Sequence, residues 1–590
     1  MQRAGKILST LWAGCASSLA IGGGAAWAQT PASPEQLDPS RQAPERVQDP
    51  AESAPLLTTP DAEAPSNGQA LDSVVFQLNS IAFEGAADRP RGELEALYAD
   101  VVGEAISLAD LRTIAARTER YFQRLGYRFT RVVVPEQRIE NGAVQLRVIR
   151  GYVSEIRVIG GSAQVNAAVA RMLSPLRSGE YWRDQDAERQ ILLAQEIPGV
   201  TLAAEARRGV GGPGAIELVA RVREDVAGEV ALSANNLGSN ALGPWSAFVH
   251  GSVNNVFGWA DRTRVGYYST TDGREQRVAQ FGHEAMLSPS GVRLIVGASL
   301  AEAHPGGAAA PLDLRSEAVI ANIEMRAPLV VSRANRLDVS VGLDWVDQYG
   351  YVFDTLKLTD EHLRVFYVAL EGRYDSVAAS ARRVFSGAED APHARPMFPF
   401  TADYSLELRQ GLDGMGASKP GEARLSRVDA DPQALSLRWQ GTAQIEAPGP
   451  FSLRLHVRGQ HSEQNLASYE EFAIGNFTIV RGYDPSAAAG DQGVGGRLEL
   501  QTDPFRLNGA GLIQPFAFVD SARIWNPGDS TLKRRDFSSY GVGVRASMFE
   551  HVDVELAWAR PLHRLTPGGP RPDAGVQLNI AVRRPFGRGG

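Results

Sequence analysis

The residues that could carry chemistry in this 590-residue chain are nine histidines, one cysteine and a scatter of carboxylates. Their spacing excludes most reactions. No histidine pair stands in H-E-x-x-H or another metal-ligand spacing, and no G-x-S-x-G elbow presents a serine nucleophile. Gly209-Val210-Gly211-Gly212-Pro213-Gly214 matches G-x-G-x-x-G. It follows a strand pattern but opens no helix, and Pro213 interrupts it, so it reads as a hairpin turn and not a dinucleotide site. With 60 basic against 68 acidic residues, net charge −8, there is no cationic surplus for nucleic acid. The remaining signal is one stretch, Ser468 to Ala522, in which glycines, aromatics and isolated charges recur.

The elements that must position that stretch begin with an export signal. Arg3 and Lys6 precede a small, apolar run from Ile7 to Ala20, and Ala26-Trp27-Ala28 supplies a cleavage site that leaves Gln29 first. The run is too short and too rich in Gly, Ala and Ser for a membrane anchor. Trp12 is a poor fit to a lipoprotein site at Cys15. Cys15 would leave with the signal, which excludes a disulfide scaffold, a thiol enzyme and a Cys-ligated metal. No later apolar run of about 18 residues follows, so the exported chain is either soluble or a β-barrel. A mean hydropathy of −0.20 excludes helical spans only, because a barrel strand is polar at every second residue.

Residues 29–70 carry a proline every five or six positions, from Pro34 to Pro65, and read as an extended linker. Residues 71–150 and 151–225 repeat one order: strand, helix, helix, strand, strand. In the first repeat the expected strands are Val75 to Phe83, Tyr127 to Pro135 and Ala143 to Ile149. Leu94, Leu97, Tyr98 and Val101 mark a short helix. A longer helix starts at Ser107 with Asp110 as its capping partner, buries Leu108, Leu111, Ile114, Tyr121, Phe122 and Leu125, and ends at Gly126. In the second repeat, strands are expected at Val153 to Ile159, Val200 to Ala206 and Ala215 to Arg223, and helices at Val165 to Leu173 and Asp184 to Ile197.

From 226 to 590 the period becomes two. Leu337, Val339, Val341, Leu343 and Trp345 alternate with Asp338, Ser340, Gly342 and Asp344. The same pattern runs through Leu453 to Val457, Val552 to Trp558 and Val576 to Val582. A soluble sandwich or a barrel with a polar lumen could produce it. Full charges on the polar face, strand lengths of ~9–11 residues and an aromatic, Phe586, near the end favour the barrel. Sixteen strands at about 23 residues each, loops included, fit the region, as would fourteen or eighteen. His456 then reads as a lumen-lining residue and not a catalyst.

Within this frame Ser468-Tyr469-Glu470-Glu471-Phe472-Ala473-Ile474-Gly475 leads to Val480-Arg481-Gly482-Tyr483. Gly490-Asp491-Gln492-Gly493, Glu499-Leu500 and Phe516-Ala517-Phe518-Val519-Asp520-Ser521-Ala522 follow. Together with Glu188-Arg189, Pro198-Gly199-Val200 and Asn254-Asn255-Val256-Phe257-Gly258, these closely resemble the hemolysin/hemagglutinin secretion/activation family, the transporter half of two-partner (type V) secretion. The resemblance implies a membrane β fold: two α+β POTRA domains in the periplasm, then an antiparallel transmembrane barrel of about 16 strands in the outer membrane of a Gram-negative bacterium. It implies a monomeric, lipid-embedded pore that exports an unfolded exoprotein bearing an N-terminal secretion domain. No enzyme activity, metal, cofactor or nucleic acid is implied. Val480 to Tyr483 would tip a loop folded back into the lumen, with Arg481 paired to Asp520 on the wall and Phe518, Gly490, Asp491 and Gly493 in support. An arginine fork fixes a carboxylate in direction as well as charge, and Gly482 permits the tight turn beside it. A wet lumen would reduce the cost of breaking the pair. Asn476 and Ala522 stand where glycines are common in the family, and the prolines of 29–70 disfavour its N-terminal plug helix. The alternative within the superfamily is a factor that inserts other barrels. Two repeats instead of a longer series argue against it, and a passive porin would need none.

Overall fold

The computed structural model describes residue 46, residues 57–58 and residues 75–587, apart from 178, 382–395, 508, 510, 528–533 and 567. The export signal, the question of a plug helix and most of the proline-rich stretch lie outside the described residues. Two α+β units and a closed barrel follow one another along the chain.

The first unit is built on helix α1, Leu108–Arg124. Ser107 caps it: the Ser107 hydroxyl accepts from the Asp110 N–H, and the Asp110 carboxylate accepts from the Ser107 N–H. Two otherwise orphaned donors are thereby satisfied. Leu111, Ile114 and Phe122 enter the core as the spacing predicts, and Ala115 and Thr118 complete that face. Leu125 does not; it follows the helix and is 40% exposed. The expected strand Val75 to Phe83 is two strands in separate sheets. Val75–Gln77 pairs with Ala105–Ser107, and Ser80–Glu84 lies parallel to Ala143–Ile149. The chain breaks at Leu78-Asn79 because Leu78 is drawn wholly into the core and the Asn79 N–H turns to Gly142. Tyr127 to Pro135 shortens to Arg131–Val133, since Thr130 folds back on the Tyr127 carbonyl.

The second unit has helices α2, Ala163–Leu173, and α3, Asp184–Gln195, over strands Tyr152–Ile159, Val200–Arg208 and Ala215–Glu224. Gly209 to Gly214 is the turn between the last two. The two units are joined by polar and aromatic contacts. Arg128 reaches Asp184 at 3.2 Å, and Phe129 meets Trp182 edge-on at 5.0 Å. Arg150 grips both Asp88 oxygens at 2.9 Å and stacks on Tyr181. Burial pushes the Asp88 carboxyl up, but the Arg150 fork outweighs it, so its pKa lies below the usual value. The stabilisation is therefore complete above the unfolded carboxyl pKa of about 4 and is lost as pH falls through the lower folded one.

Sixteen antiparallel strands close the barrel, from Gly228–Asn235 to Gly575–Phe586. The twelfth, Gln492–Thr502, is continued after a break by Phe505–Leu507. The polar face turns inward: Asp338 and Ser340 are buried while Val341 and Trp345 are 44% and 37% exposed on the outer wall. Strand lengths exceed the expected ~9–11 residues between 315 and 375, where three successive strands run 17, 18 and 20 residues. The same period-two pattern serves both a membrane span and its extension into solvent, so the pattern does not mark where the span ends.

The second unit sits on one rim of the barrel. Its core cluster takes in Ala260, Met286 and Val331 from the rim turns. Glu196 at the end of α3 is clasped by Arg293 and Arg336 of the barrel, and Arg189 donates to the Pro328 carbonyl at 3.0 Å. At the same rim the seam closes with Gly228 opposite Phe586. A side chain at 228 would sit 2.4 Å from the Phe586 ring. Gly228→Val should therefore expel the terminal aromatic and weaken the seam by about 1–3 kcal/mol. The measurement is the temperature at which the folded form converts to unfolded mobility on electrophoresis. An unchanged temperature would contradict this account of the seam.

Candidate functional site

The loop between the eleventh strand, Phe451–His461, and the twelfth folds into the lumen instead of standing clear of the far rim. Its apolar residues explain why. Phe472, Ile474, Ile479, Val480 and Tyr483 are essentially fully buried and pack with Ile524 and Phe537 of the wall. A short ladder, Phe472–Ile474 with Ala488–Gly490, forms the neck. Beyond it the chain turns through positive φ at Gly475 (140°), Val480 (72°) and Gly482 (91°). For the β-branched Val480 this conformation costs about 1–3 kcal/mol, so the surroundings over-determine it.

They do so through Arg481. Its Nε donates to Asp520 Oδ2 at 3.1 Å, its Nη2 to Oδ1 at 3.0 Å, and its own backbone N–H to Oδ2 at 2.9 Å. Nη1 reaches Glu499 Oε1 at 2.7 Å. The guanidinium lies 3.4 Å from the centre of the Phe518 ring, a stacked cation–π geometry. Asp520 is on the thirteenth strand, Gly511–Trp525, and Glu499 on the twelfth. Arg545 of the fourteenth strand, Arg535–Met548, holds Glu499 at 3.0 Å and Glu555 of the next strand at 2.9 Å. Arg497 stands 3.4 Å from Asp520. Three arginines thus face three carboxylates. The pair is not in a wet lumen as expected: the side chains of Arg481 and Asp520 are 5% and 0% exposed. Apolar packing of Val480, Tyr483 and Phe518 excludes the water that would have screened it.

Each remaining residue of the expected motif has a definite place. Gly482 donates its N–H to Asn476 Oδ1 at 2.8 Å, so the asparagine that replaces a glycine braces the turn. The Tyr483 hydroxyl donates to the His563 carbonyl and accepts from the His563 N–H, both at 2.9 Å. Gly493 leaves room for Phe472, whose ring would lie 2.2 Å from an added Cβ. Gly490 ends the neck ladder. Ala522 packs beside Ile479 and Val480. Asp491 accepts from the Leu466 N–H at 2.7 Å and pairs with Arg427.

The Arg427 contact belongs to a second tether that the sequence did not disclose. Arg427 comes from the loop after the ninth strand, Phe400–Gly411, and also meets Glu471 at 3.1 Å. Beside it Glu470 takes Arg409 Nε and Nη2 at 2.9 and 3.1 Å and Arg438 Nη2 at 2.7 Å. Asp344 joins Arg409 at 2.7 Å. The loop is therefore fastened by charged contacts to strands nine and ten of the wall as well as to twelve and thirteen. Glu470 lay in the recognised segment, and two adjacent glutamates in an apolar stretch were a signal. Their partners could not be assigned without strand register. His456 lines the lumen and is bonded to Thr442 at 2.9 Å.

Residues 375–546 match the family described as haemolysin secretion/activation protein ShlB/FhaC/HecB, and residues 76–151 match the POTRA domain, ShlB-type. Over those residues the chain is similar to this family. It is an outer-membrane transporter of the two-partner secretion type, with its POTRA domains in the periplasm. It is 22% identical over 454 residues to the heme/hemopexin transporter protein HuxB of Haemophilus influenzae, with 76% of each chain covered. It is 22% identical over 480 residues to the outer membrane transporter CdiB-2 of Burkholderia pseudomallei, with 78% of this chain and 75% of that one covered. The solved structure of CdiB from Escherichia coli superposes with a TM-score of 0.71 at 18% identity, covering 93% of this chain and 96% of the other. That likeness is one of fold. In this chain the rim that carries the POTRA domains faces the periplasm.

Removing one member of a fully buried ion pair costs on the order of 3–5 kcal/mol. Arg497 and Arg545 remain beside the orphaned carboxylates, so Arg481→Ala should fall at the lower end, about 3 kcal/mol. It should lower the barrel's unfolding temperature by several degrees and open the lumen to ions. Planar-bilayer conductance and heat-dependent mobility read the two effects. Wild-type values of both would remove Arg481 from the tether.

Proposed function

We propose that the POTRA domains receive an unfolded exoprotein in the periplasm through its N-terminal secretion domain, and that the barrel conducts it outward as a monomeric pore. The division that goes with this is signal 1–28, linker 29–70, POTRA domains 71–150 and 151–225, and barrel 226–590. The loop tipped by Val480, Arg481, Gly482 and Tyr483 is a conformational element that closes the lumen at rest. The observation that carries this reading is the double tether: a loop strapped across the lumen by charged contacts on two sides of the wall. Ion pairs can exchange partners as the loop moves, while the apolar residues of the loop, Val480 and Tyr483 among them, have to leave their packing on the wall. Gly490, Asp491 and Gly493 set the neck about which the loop swings, Phe518 is the platform on which Arg481 rests, and Asp520 is its return address. Export needs no nucleotide site; folding of the exoprotein outside the cell gives direction.

The test compares proteins released into the medium by cells with and without the chain. The expected result is the loss of one or a few large exported proteins while the outer-membrane protein profile is unchanged. Loss of many outer-membrane proteins instead would make the chain an assembly factor.

A further inference from the structure

Above the clasp on Glu196 a column of charged and hydroxyl side chains climbs the lumen wall towards the loop. It stands on the sixth, seventh and eighth strands, Arg315–Val331, Asn335–Val352 and Leu356–Asp375, and ends at Arg409 of the ninth. Arg336, which holds Glu196 below, gives its Nε to Asp338 at 2.8 Å. Asp338 is paired in register with Glu371, whose carboxylate takes Arg326 at 2.8 Å. Arg326 Nε donates to one Glu324 oxygen at 2.8 Å, and the Tyr367 hydroxyl donates to the other at 2.8 Å. The centre of the Tyr367 ring lies 5.5 Å from the Arg409 guanidinium. Arg409 in turn grips Glu470 of the loop with two nitrogens.

Residue spacing and strand register build this column. Only alternate residues of a barrel strand face inward, so Glu324 with Arg326, Arg336 with Asp338 and Tyr367 with Glu371 share the lumen side. Glu324, Gly342, Tyr367 and Arg409 form one row across four strands. Gly342 makes the upper link possible. A Cβ there would lie 2.4 Å from the Tyr367 hydroxyl, and without one the tyrosine crosses the seventh strand to Glu324 on the sixth. Buried Glu324 is thus shared by Arg326 on the rim side and Tyr367 on the loop side. At the lower end a cavity of about 550 Å³ lies between α3 and the barrel, lined by Glu196, Arg293, Arg326, Arg336 and Asp338. The arginines there have room to change partners when Glu196 moves.

We infer that Tyr367 is a positioning residue for Arg409, and that the column transmits the seating of the second POTRA domain on the rim to the grip of Arg409 on Glu470. The inference rests on the reading of the loop as the closure of the lumen. When the second domain shifts, Glu196 leaves Arg293 and Arg336. Those arginines then draw on Asp338 and Glu371, the next carboxylates along the wall. Arg326 loses Glu371 and takes Glu324 for itself, away from the Tyr367 hydroxyl. The ring is no longer pinned over Gly342, and Arg409 loses the surface that aims its fork at Glu470. Each step is an exchange between neighbours. Coupling along such a chain needs an element with two arrangements that both ends bias, and the loop, inside or outside the lumen, is that element. By reciprocity a loop drawn outward weakens the clasp on Glu196.

Single-channel recording of the full chain in planar bilayers measures the fraction of time the lumen is open. Glu196→Gln should raise that fraction about fivefold or more in the otherwise unchanged chain, and by less than about twofold when Tyr367→Phe is also present, because sites joined by one network are not additive. Tyr367→Phe keeps the ring over Gly342 and removes only the hydroxyl, so the barrel still folds. Arg326→Met, which cuts the column one link lower, should cancel the Glu196→Gln effect in the same way. A purely structural role for Tyr367 would lower the unfolding temperature and leave the Glu196→Gln factor unchanged. Equal factors with and without Tyr367→Phe, or no effect of Glu196→Gln alone, overturn the column and leave the closing loop standing. The closure itself is tested by Arg481→Ala. If that variant opens no more often than wild type, the loop does not close the lumen, and this inference falls with it.

Discussion

An arginine with 5% of its side chain exposed, inside a membrane protein, sets the constraint from which the rest of the lumen follows. A charge taken out of water must be met by an opposite charge and by hydrogen bonds to every remaining donor. Arg481 is met on all sides: Asp520 by fork and by backbone, Glu499 at its third nitrogen, Phe518 beneath its plane. The surroundings are shaped to allow it. Gly541 and Gly543 carry no side chain because the rings of Phe518 and Phe516 lie where a Cβ would be. Gly482 takes the left-handed turn that brings the guanidinium down, and Val480 accepts that turn against its own preference. The conformational cost at Val480 is about 1–3 kcal/mol. It is smaller than the cost of leaving Arg481 unpaired, and that inequality, with the apolar packing of the loop on the wall, keeps the loop inside.

The same lattice is arranged so that the loop can leave without wrecking the wall. Asp520 and Glu499 have Arg497 and Arg545 beside them from neighbouring strands, so withdrawal of Arg481 does not strand two carboxylates in an apolar wall. On the other side, Arg409 has Asp344 and Glu407 as well as Glu470. Each tether is thus one exchangeable bond within a cluster that is otherwise neutralised in place. Ion pairs suit a loop that must be tight at rest and yet movable, because the separated charges are rehydrated or paired with other charges once the lumen floods.

How far this was legible from the chain alone depends on the range of each interaction. The capping box at Ser107 and Asp110, the turn at Gly209 to Gly214 and the alternating strands are local, and their residues announce them. The break at Leu78-Asn79 was not legible, since a run of strand-forming residues looks continuous until a core claims Leu78. Arg481 and Asp520 were paired by family likeness, not by spacing, and that likeness said nothing of solvent. Dryness arises from two apolar clusters, one holding Val480 and Tyr483 and the other Phe518, a property of the assembled lumen. Glu470 and Arg409 are 61 positions apart on elements whose register is fixed only when the barrel closes.

The linker shows the same principle in reverse. Its composition reads as a tether, and composition averages away the single Leu-Leu-Thr-Thr run between Pro55 and Pro60. Edge strands in soluble domains are guarded by short length, by charges or by a covering segment. The first POTRA domain uses the first two devices, a three-residue edge and the Glu119 carboxylate; the second uses the third. Among the described residues that covering strand pairs over two positions, Leu57 and Thr58. That cover lies on the domain that touches the barrel, where Glu196 at the end of α3 and its two arginines hold the domain on the rim.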